Sequence, residues 1–382
     1  IEDYVMGTSD QPLVVHGVSG SGKTSLMGKI GSMIGRWLPD VQPITVLRFM
    51  GTTHRSCSVR LVLGSMCWQI AAVYGHDITD IPGDYPGLIA YFQNIMQLAT
   101  LERPLVIILD SLDQLLTTHQ AHNLVWLPKL LPPNVRVIVS TLPSEHSLFE
   151  TLQDKITDPN NYLEVLPLGQ QLSGQLLKEW LRDSNHRLTV QQEGVVQQAL
   201  QVCTLPLYTR LVFKEICRWK SYTSPDQIQL GGSVKAIINT LFDRVERYYG
   251  RTFVMHALSY LTASKNGLSD TELEDLLSLD DSVLNDVFIH WLPPMRRIPP
   301  LLWPRLHHEL SSYITQREAN GTIVFYWYHR QFIQVAKERY FAALPHKLYI
   351  HSSLAHYFLG TWGGGIDKPF RYSMAQIDML HL

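Results

Sequence analysis

The chain has 382 residues, of which 45% are hydrophobic and 17% are charged, and its formal net charge is -2. This composition is typical of globular rather than disordered proteins, and the length predicts about two to four domains. The sequence has neither a basic stripe for nucleic acid nor an apolar run of the roughly 18 residues that a membrane span needs. No signal peptide is recognisable, and CxxC spacing is absent among the cysteines. We therefore expect a cytoplasmic protein with free thiols, no structural zinc and neither nucleic acid nor membrane as a partner.

The first 168 residues alternate between strand-like and helix-like segments. Continuously apolar strand candidates lie at 12–16, 44–50, 104–110, 135–141 and 162–168, with helix candidates at 24–38, 58–74 and 87–101. Such runs are typical of parallel strands that are covered on both faces. The predicted fold class is α/β: a P-loop NTPase parallel sheet with helices on both faces, followed by a helical domain and a winged-helix domain.

After residue 168 the pattern becomes mainly helical. We predict a nucleotide-binding domain at 1–168, a small helical domain at 169–235, a winged-helix domain at 236–343 and the start of a further helical region at 344–382. Three helices followed by a hairpin at 317–328 are the basis for the winged helix. Because no helix in it is strongly basic, a packing role is favoured over DNA binding.

Several local signals refine the winged-helix segment. A proline-rich insertion occupies 291–304, and a helix is predicted at 304–315. Asp270 is the expected N-cap of a helix that contains Glu272. Asn320 and Gly321 favour a primed turn in the hairpin.

The stretch GVSGSGKT, at 17–24, fits the pattern G-x-x-x-x-G-K-[ST] between a predicted strand and a predicted helix. Its glycines let backbone N–H groups turn inward around an anion, and the helix adds its positive end. Lys23 is expected to reach the β- and γ-phosphates of ATP, and the Thr24 hydroxyl is expected to hold Mg²⁺. Ser25 is expected to cap the helix or to pack rather than to hold the ion. The predicted nucleotide-binding residues here are Gly17, Ser19, Gly20, Ser21, Gly22, Lys23, Thr24 and Ser25.

The acidic half of such a site is predicted in LVIILDSLDQL, at 105–115. Asp110 would accept a hydrogen bond from Mg²⁺-bound water, and Asp113 could polarise the attacking water, so both are candidate catalytic residues. Either aspartate could instead cap the next helix. A strand–helix unit at 44–75 separates the two motifs, which favours the P-loop branch whose motif strands have another strand between them.

These motifs, together with FMGTT, SVRLVLGSMCWQI and VRVIVSTLP, resemble a NACHT-type NTPase domain of the STAND class. The segments CTLPLYTRL, LSDTELEDLLSLDDSVL and FYWYHRQFIQVAKERY extend the resemblance, which is closest to animal NACHT and WD-repeat-containing proteins. The resemblance implies bound ATP or ADP with Mg²⁺ and a closed state locked by ADP. It also implies ATP-dependent opening and self-association, and a C-terminal WD-repeat sensor beyond the present chain.

Two further site residues follow from the resemblance. Pro206, in CTLPL, matches a proline that packs on the adenine, and His329, in WYHRQF, matches a histidine that touches the β-phosphate of ADP. From the residues alone, Pro206 could simply separate two helices. A lone histidine such as His329 is more often an ordinary core or surface residue.

The chain also departs from the family pattern. The family commonly has an arginine where Leu142 stands, and its acidic strand often ends Asp-Gly-x-Asp-Glu, whereas this chain reads Asp-Ser-Leu-Asp-Gln at 110–114. Hydrolysis should suffer more than binding, because charge stabilisation dominates phosphoryl transfer. Arg48 or an arginine from a neighbouring subunit could substitute. Two functions remain: a nucleotide switch with slow ATP hydrolysis at most, or a non-hydrolysing scaffold with permanently bound nucleotide.

Overall fold

The computed structural model describes residues 1–53, 55–143, 147–223, 228–289, 295–319 and 321–362. The chain forms two compact units: residues 1–187 with 204–217, and residues 188–203 with 218 onward. Residues 291–294 of the predicted insertion, Asn320 of the predicted turn and residues 363–382 of the predicted helical region lie outside the described residues. The four domain boundaries proposed above stay predictions. None of the described helices has both the length and the apolar character to cross a membrane.

The first unit is built on a parallel sheet of five strands among the described residues. The strands are β1 (Leu13–His16), β2 (Ile44–Phe49), β3 (Leu105–Asp110), β4 (Val135–Thr141) and β5 (Tyr162–Glu164). Their order is β2-β3-β4-β1-β5, and every neighbouring pair is parallel. Strand β4 therefore lies between β1 and β3, which confirms the predicted separation of the two motif strands.

Helices cover both faces of this sheet. Along β3, Leu105, Ile107 and Leu109 belong to one apolar cluster, and Val106 and Ile108 to another, because successive side chains of a strand point to opposite faces. The first cluster includes residues of the helices α3 (Val59–Tyr74) and α4 (Tyr85–Ile95), and the second includes residues of α2 (Lys23–Trp37). The helices up to residue 217 are α1 (Glu2–Met6), α2 (Lys23–Trp37), α3 (Val59–Tyr74), α4 (Tyr85–Ile95), α5 (Leu148–Lys155), α6 (Gly169–Asp183), α7 (Val190–Val202, in the other unit) and α8 (Pro206–Ile216).

The second unit is helical with one antiparallel hairpin. In the hairpin, Ile314 pairs with Trp327 and Ala319 with Thr322. The hairpin follows a group of helices and precedes another, as the winged-helix prediction requires. The elements are α9 (Val234–Tyr249), α10 (Arg251–Ala263), α11 (Asp270–Leu279), α12 (Asp281–Val287), α13 (Leu302–Leu310), β6 (Ile314–Ala319), β7 (Thr322–Trp327), α14 (Arg330–Tyr340) and α15 (Leu344–Phe358).

The predicted N-cap of α11 is wrong by one residue. Ser269 is the N-cap: its hydroxyl accepts from the Glu272 N–H at 3.2 Å, and the Glu272 carboxylate accepts from the Ser269 N–H at 2.8 Å. This capping box satisfies two helix-end donors at once. With Asp270 as the N-cap, the N3 residue would be Leu273, whose side chain cannot accept the reciprocal hydrogen bond. Asp270 is instead the first helical residue, and its carboxylate accepts from the Trp303 indole N–H at 2.7 Å.

Three predicted element bounds are also corrected. The helix predicted at 304–315 ends at Leu310, and β6 begins at Ile314, because the β-branched residues Ile314 and Thr315 favour a strand. The strand predicted at 162–168 ends at Glu164. The helix predicted at 87–101 is α4, which begins after Asp84 because that carboxylate accepts from the Gly87 N–H at 2.8 Å.

Candidate nucleotide-binding site

The predicted phosphate loop and the predicted acidic residues lie at the carboxyl ends of the parallel strands. In the register, Val15 of β1 lies opposite Ser140 of β4, and Leu109 of β3 lies opposite Val139. Asp110 at the end of β3 and the loop that follows β1 are therefore at the same level, with β4 between them. Carboxyl edges of open parallel sheets are where such folds bind ligands.

The loop between β1 and α2 has the backbone conformation that its glycines permit. Gly20 and Gly22 have φ values of 84° and 95°, in the left-handed region. A Cβ at Gly20 would lie 3.1 Å from Leu207 Cβ, so a larger residue would also crowd α8. Ser21 Oγ is buried and has no hydrogen-bond partner among the described atoms. An unpaired buried hydroxyl in a glycine loop fits the binding of an oxygen-rich ligand such as a phosphate.

Lys23 is the first residue of α2, and its side chain is 7% exposed. Its ammonium lies over the loop, where Nζ donates to the Gly17 carbonyl at 2.7 Å and the Val18 carbonyl at 3.0 Å. Thr24 and Ser25 are exposed in the first turn of α2. The structure thus brings together the charge, the helix N-terminus and the hydroxyl that the motif predicted.

Asp110 is 2% exposed and is held by two serine hydroxyls. The Ser140 hydroxyl donates to Oδ1 at 2.6 Å, and the Ser111 hydroxyl donates to Oδ2 at 3.2 Å. The Ser140 oxygen also accepts from the Ser111 N–H at 2.7 Å. Sequence reasoning missed the role of Ser140, because only the register of β3 against β4 places it beside Asp110.

Asp113 is 6% exposed, and its Oδ2 accepts a hydrogen bond from the side-chain amide of Gln114 at 2.8 Å. Gln114 also lies against the loop after β2, since a Cβ at Gly51 would be 2.8 Å from Gln114 Cβ. Asp113 lies inside the short 3₁₀ turn Leu112–Gln114, and the residue at its N-cap is Ser111. Neither aspartate is therefore the N-cap of the element that follows β3.

Pro206 lies beside the phosphate loop. It is the first residue of α8, and its Cγ would be 3.6 Å from a Cβ at Gly22. The next residue, Leu207, donates its N–H to the Gly20 carbonyl at 3.2 Å. Pro206 therefore starts a helix, as the plain interpretation required, and also contacts the loop. Its packing on adenine stays a prediction.

His329 belongs to the second unit, where it is the N-cap of α14. Its Nδ1 accepts the Gln331 N–H at 3.2 Å. A neutral imidazole that accepts through Nδ1 carries its proton on Nε2, so the ring is a donor at that nitrogen. This tautomer suits the predicted contact with a phosphate, which stays a prediction.

The residues around the loop differ from the family pattern in what they can donate. Leu142 is 5% exposed and apolar. Arg48 donates to the Leu47 carbonyl at 2.9 Å and to the hydroxyl and carbonyl of Ser65, both at 3.1 Å. Burial lowers the pKa of Arg48. Its guanidinium is thus committed to β2 and α3, which argues against its replacing the missing arginine.

His16, the last residue of β1, precedes the loop and was not singled out from the sequence. Its ring centroid lies 4.7 Å from that of Phe149. Burial lowers the pKa of His16, the nearby Glu164 raises it, and the Lys23 charge lowers it further. A neutral imidazole at this place adds no positive charge to the site.

Mg²⁺ fits this arrangement as a nucleotide-borne ion. Across the described ranges, no three His, Cys, Asp or Glu side chains converge as ligands for a metal. Mg²⁺ needs no such cage, since it is commonly held by one or two protein oxygens and the substrate phosphates. Thr24 and Asp110 are the residues here that would provide that contact.

A NACHT domain model matches residues 11–184, which include the loop, Asp110 and all five sheet strands. This segment is a NACHT domain. The model of the NWD1-like, winged helix-turn-helix domain matches residues 227–346. The predicted family resemblance and fold class are both confirmed.

Curated relatives match this chain over nearly its whole length. The mouse NACHT and WD repeat domain-containing protein 2 is 37% identical over 366 residues, which are 94% of this chain and 21% of that protein. The human NACHT domain- and WD repeat-containing protein 1 is 34% identical over 364 residues, which are 94% of this chain and 23% of that protein. The chain therefore spans about a fifth of the length of these relatives.

Solved P-loop structures are more distant. The Walker-type ATPase of Pyrococcus abyssi has a TM-score of 0.36 at 14% identity, over 85% of this chain and 90% of that one. The Orc1 protein of Aeropyrum pernix has a TM-score of 0.38 at 14% identity, over 90% of each chain. At such scores the fold assignment depends on the strand order and the family models.

Proposed function

We propose that this chain is a nucleotide switch: its NACHT domain binds ADP in a closed state, and exchange for ATP opens it and permits self-association. The main support is the convergence of a buried loop lysine, Lys23, and a buried carboxylate, Asp110, at one edge of the sheet. The contact of α8 with the phosphate loop adds to it, because the loop backbone and a helical element are joined by a hydrogen bond. A ligand that favours one arrangement of that element shifts the equilibrium by its differential affinity.

Each residue has a defined task in this proposal. The loop N–H groups and Lys23 bind the phosphates, and Pro206 packs against the base. Mg²⁺, when bound with the nucleotide, neutralises phosphate charge. Thr24 would hold the ion, and Asp110 would accept a hydrogen bond from a water bound to it. Asp113 is the candidate group for orienting the water that attacks the γ-phosphate.

Hydrolysis is slow at most in this proposal. Leu142 cannot donate to a developing phosphate charge, and the guanidinium of Arg48 is engaged with Ser65. The Gln114 amide donates to Asp113 Oδ2 and so takes one of the acceptor sites that the carboxylate could offer to a water. A missing arginine alone can reduce phosphoryl transfer by orders of magnitude.

A second candidate is a non-hydrolysing scaffold that holds its nucleotide permanently. The same Gln114–Asp113 hydrogen bond favours this candidate, because it takes an acceptor site of Asp113, the group that would orient the attacking water. A ligand bound only to the folded state stabilises that state by mass action, so a phosphate loop serves a scaffold too.

The first experiment is to purify the protein without added nucleotide, denature it and identify the released nucleotide by chromatography. Nearly one ADP per chain supports the switch, and intact ATP supports the scaffold. Lys23→Met is the matched control, since it removes the charge from the loop and should leave the site empty. If the wild type releases nothing and neither Mg-ADP nor Mg-ATP raises its unfolding midpoint, nucleotide binding is refuted.

The second experiment separates the two candidates further. Sedimentation of the protein loaded with ADP or with a non-hydrolysable ATP analogue should show larger species only with the analogue if the switch is correct. Equal sedimentation in both states contradicts it. We also propose a cytoplasmic location and, from the names of the relatives, a WD-repeat region as the sensor in the full-length protein.

A further inference from the structure

We propose that Ser111 and Ser140 are positioning residues that fix the Asp110 carboxylate for the Mg²⁺-bound nucleotide. This inference rests on the proposed nucleotide binding and assigns roles to two residues that the motifs do not include. Its starting point is a closed ring of hydrogen bonds around Asp110. The Ser111 N–H donates to Ser140 Oγ, whose hydroxyl donates to Oδ1, while the Ser111 hydroxyl donates to Oδ2.

The ring fixes the direction of each proton. Ser140 Oγ accepts a backbone N–H from Ser111, and within the described part of the chain its own hydroxyl donates to Asp110 Oδ1. The Ser140 hydroxyl proton is therefore directed at the carboxylate rather than free to rotate. The two ends of Asp110 are held by separate chain segments, β4 and the turn after β3, so the carboxylate plane cannot swing.

The backbone of Ser111 supports the assignment independently. Ser111 has φ 59° and ψ 57°, the left-handed conformation that is comfortable for glycine and costs other residues roughly 1–2 kcal/mol. A serine that accepts this strain contributes something that glycine cannot, and the contact that its side chain makes is with Asp110 Oδ2.

The geometry leaves Asp110 able to act on a ligand. Each carboxylate oxygen has about two acceptor sites. From the described residues, Oδ1 accepts one hydrogen bond and Oδ2 accepts one. The serines thus orient the group and still leave an acceptor site on each oxygen for a metal-bound water.

The test compares two substitutions at one position. Ser111→Ala and Ser111→Gly both remove the hydroxyl, but only glycine removes the left-handed strain. The affinity for a fluorescent ADP analogue is measured with Mg²⁺ and with EDTA, and the unfolding midpoint is measured alongside. We expect the Mg²⁺-dependent gain in affinity to be roughly ten-fold smaller in both variants, which is the scale of one hydrogen bond to a charged group. The affinity measured in EDTA should change little.

The unfolding midpoint separates positioning from stability. Ser111→Gly should unfold about 2–4 °C above Ser111→Ala, because glycine relieves the strain. If the Mg²⁺-dependent gain follows that midpoint, with glycine retaining it and alanine losing it, the role is structural and the inference is wrong. Retention of the full gain by both variants also overturns it. A wild type without any Mg²⁺-dependent gain would instead refute the proposed function.

Ser140→Ala provides a second position for the same test. It removes the donor to Oδ1 and leaves the buried Ser111 N–H without its acceptor. We expect it to lose the Mg²⁺-dependent gain as the Ser111 variants do and also to lower the unfolding midpoint. An unchanged gain in this variant contradicts the inference.

Discussion

The two units each contain a buried aspartate, and the two carboxylates differ in how many donors reach them. In the second unit, called the winged-helix unit below, Asp280 is 0% exposed and N-caps α12. Its Oδ1 accepts from the Ser282 and Val283 N–H groups at 3.0 Å and 3.4 Å. Its Oδ2 contacts His256 Nδ1 at 2.6 Å and accepts from the Tyr260 hydroxyl at 3.0 Å. Asp110 in the NACHT domain accepts one hydrogen bond on each oxygen from the described residues.

This difference fits a structural role for Asp280 and the proposed ligand-binding role for Asp110. The acceptor sites of Asp280 are filled by its own unit, so nothing remains for it to bind. Burial alone would raise the pKa of Asp280, but the hydrogen bond and charge of His256, with Tyr260, hold it below the ordinary value. Asp110 is nearly as buried, but it lies at the carboxyl end of β3 and, among the described residues, keeps unused acceptor sites on both oxygens. Burial is therefore a poor guide to function, and the count of remaining acceptor sites is a better one.

The largest expected effect is on stability, from Asp280→Asn. The amide keeps the shape but replaces one acceptor oxygen with a donor, so either the Ser282 and Val283 N–H groups or the His256 and Tyr260 side chains lose their present acceptor. We expect the free energy of unfolding to fall by about 3 kcal/mol, as when one partner of a buried ion pair is removed. Chemical denaturation measures the loss.

The matched control for that change is Glu318→Gln, which neutralises an exposed carboxylate in the same unit. It should leave the free energy of unfolding nearly unchanged. Asp280 would lose its structural assignment if the two variants were equally stable.

Asp110→Asn is the corresponding change at the site, and it should cost less stability. The amide oxygen can still accept from Ser140, and the Ser111 hydroxyl can rotate to accept from the new amide, so we expect a loss of about 1 kcal/mol. The Mg²⁺-dependent gain in nucleotide affinity should disappear, because an amide is a poor acceptor for a metal-bound water. Titration with Mg²⁺ and with EDTA measures this. A stability loss as large as that of Asp280→Asn would remove the contrast between the two aspartates.

The sequence predicts the NACHT sheet and the phosphate loop well because both are local patterns. Each strand is a short apolar run, and GVSGSGKT places its lysine at the helix start without help from distant residues. The winged helix was also predictable from element order. Errors occurred where two signals competed: Ser269 and Asp270 are both good caps, and only the reciprocal contact with Glu272 decides between them.

The positioning of Asp110 was beyond sequence reasoning for a different reason. Ser140 is 30 residues from Asp110 along the chain, and the contact exists only because β3 and β4 pair in one register. Likewise, the commitment of Arg48 to Ser65 depends on how α3 lies over β2. Contacts of this kind follow from tertiary packing, which no local pattern encodes.

A smaller effect of pH is expected on the stability of the winged-helix unit, through the cluster of His256, Ser259, Asp280 and His346. His346 of α15 contacts the Ser259 hydroxyl at 3.1 Å, and its ring lies 5.0 Å from that of His256. Burial lowers the pKa of His346, the neighbouring His256 lowers it further, and Asp280 raises it. Because the folded pKa lies below the unfolded one, the unfolded state takes up a proton first as the pH falls below about 6.5, and stability is lost on acidification.

The unfolding midpoint at pH 7.5 and pH 5.5 tests this sign. His346→Gln should reduce the difference between the two pH values. His351→Gln, an exposed histidine on the same helix, should not. Equal pH dependence in the wild type and in His346→Gln would show that the cluster does not sense protons through this residue.

The smallest expected effect concerns the one residue of the winged-helix unit that the family resemblance assigns to the nucleotide, His329. His329→Ala removes both the imidazole and the N-cap of α14, so by itself it mixes ligand and stability effects. His329→Asn separates them, because asparagine is a good N-cap and lacks the imidazole. If the ring donates to the β-phosphate, both variants should bind ADP roughly two- to ten-fold more weakly than the wild type. Only the alanine variant should also lose about 1 kcal/mol in the free energy of unfolding. If His329→Asn binds ADP as tightly as the wild type does, His329 serves only as the N-cap of α14 and does not bind the nucleotide.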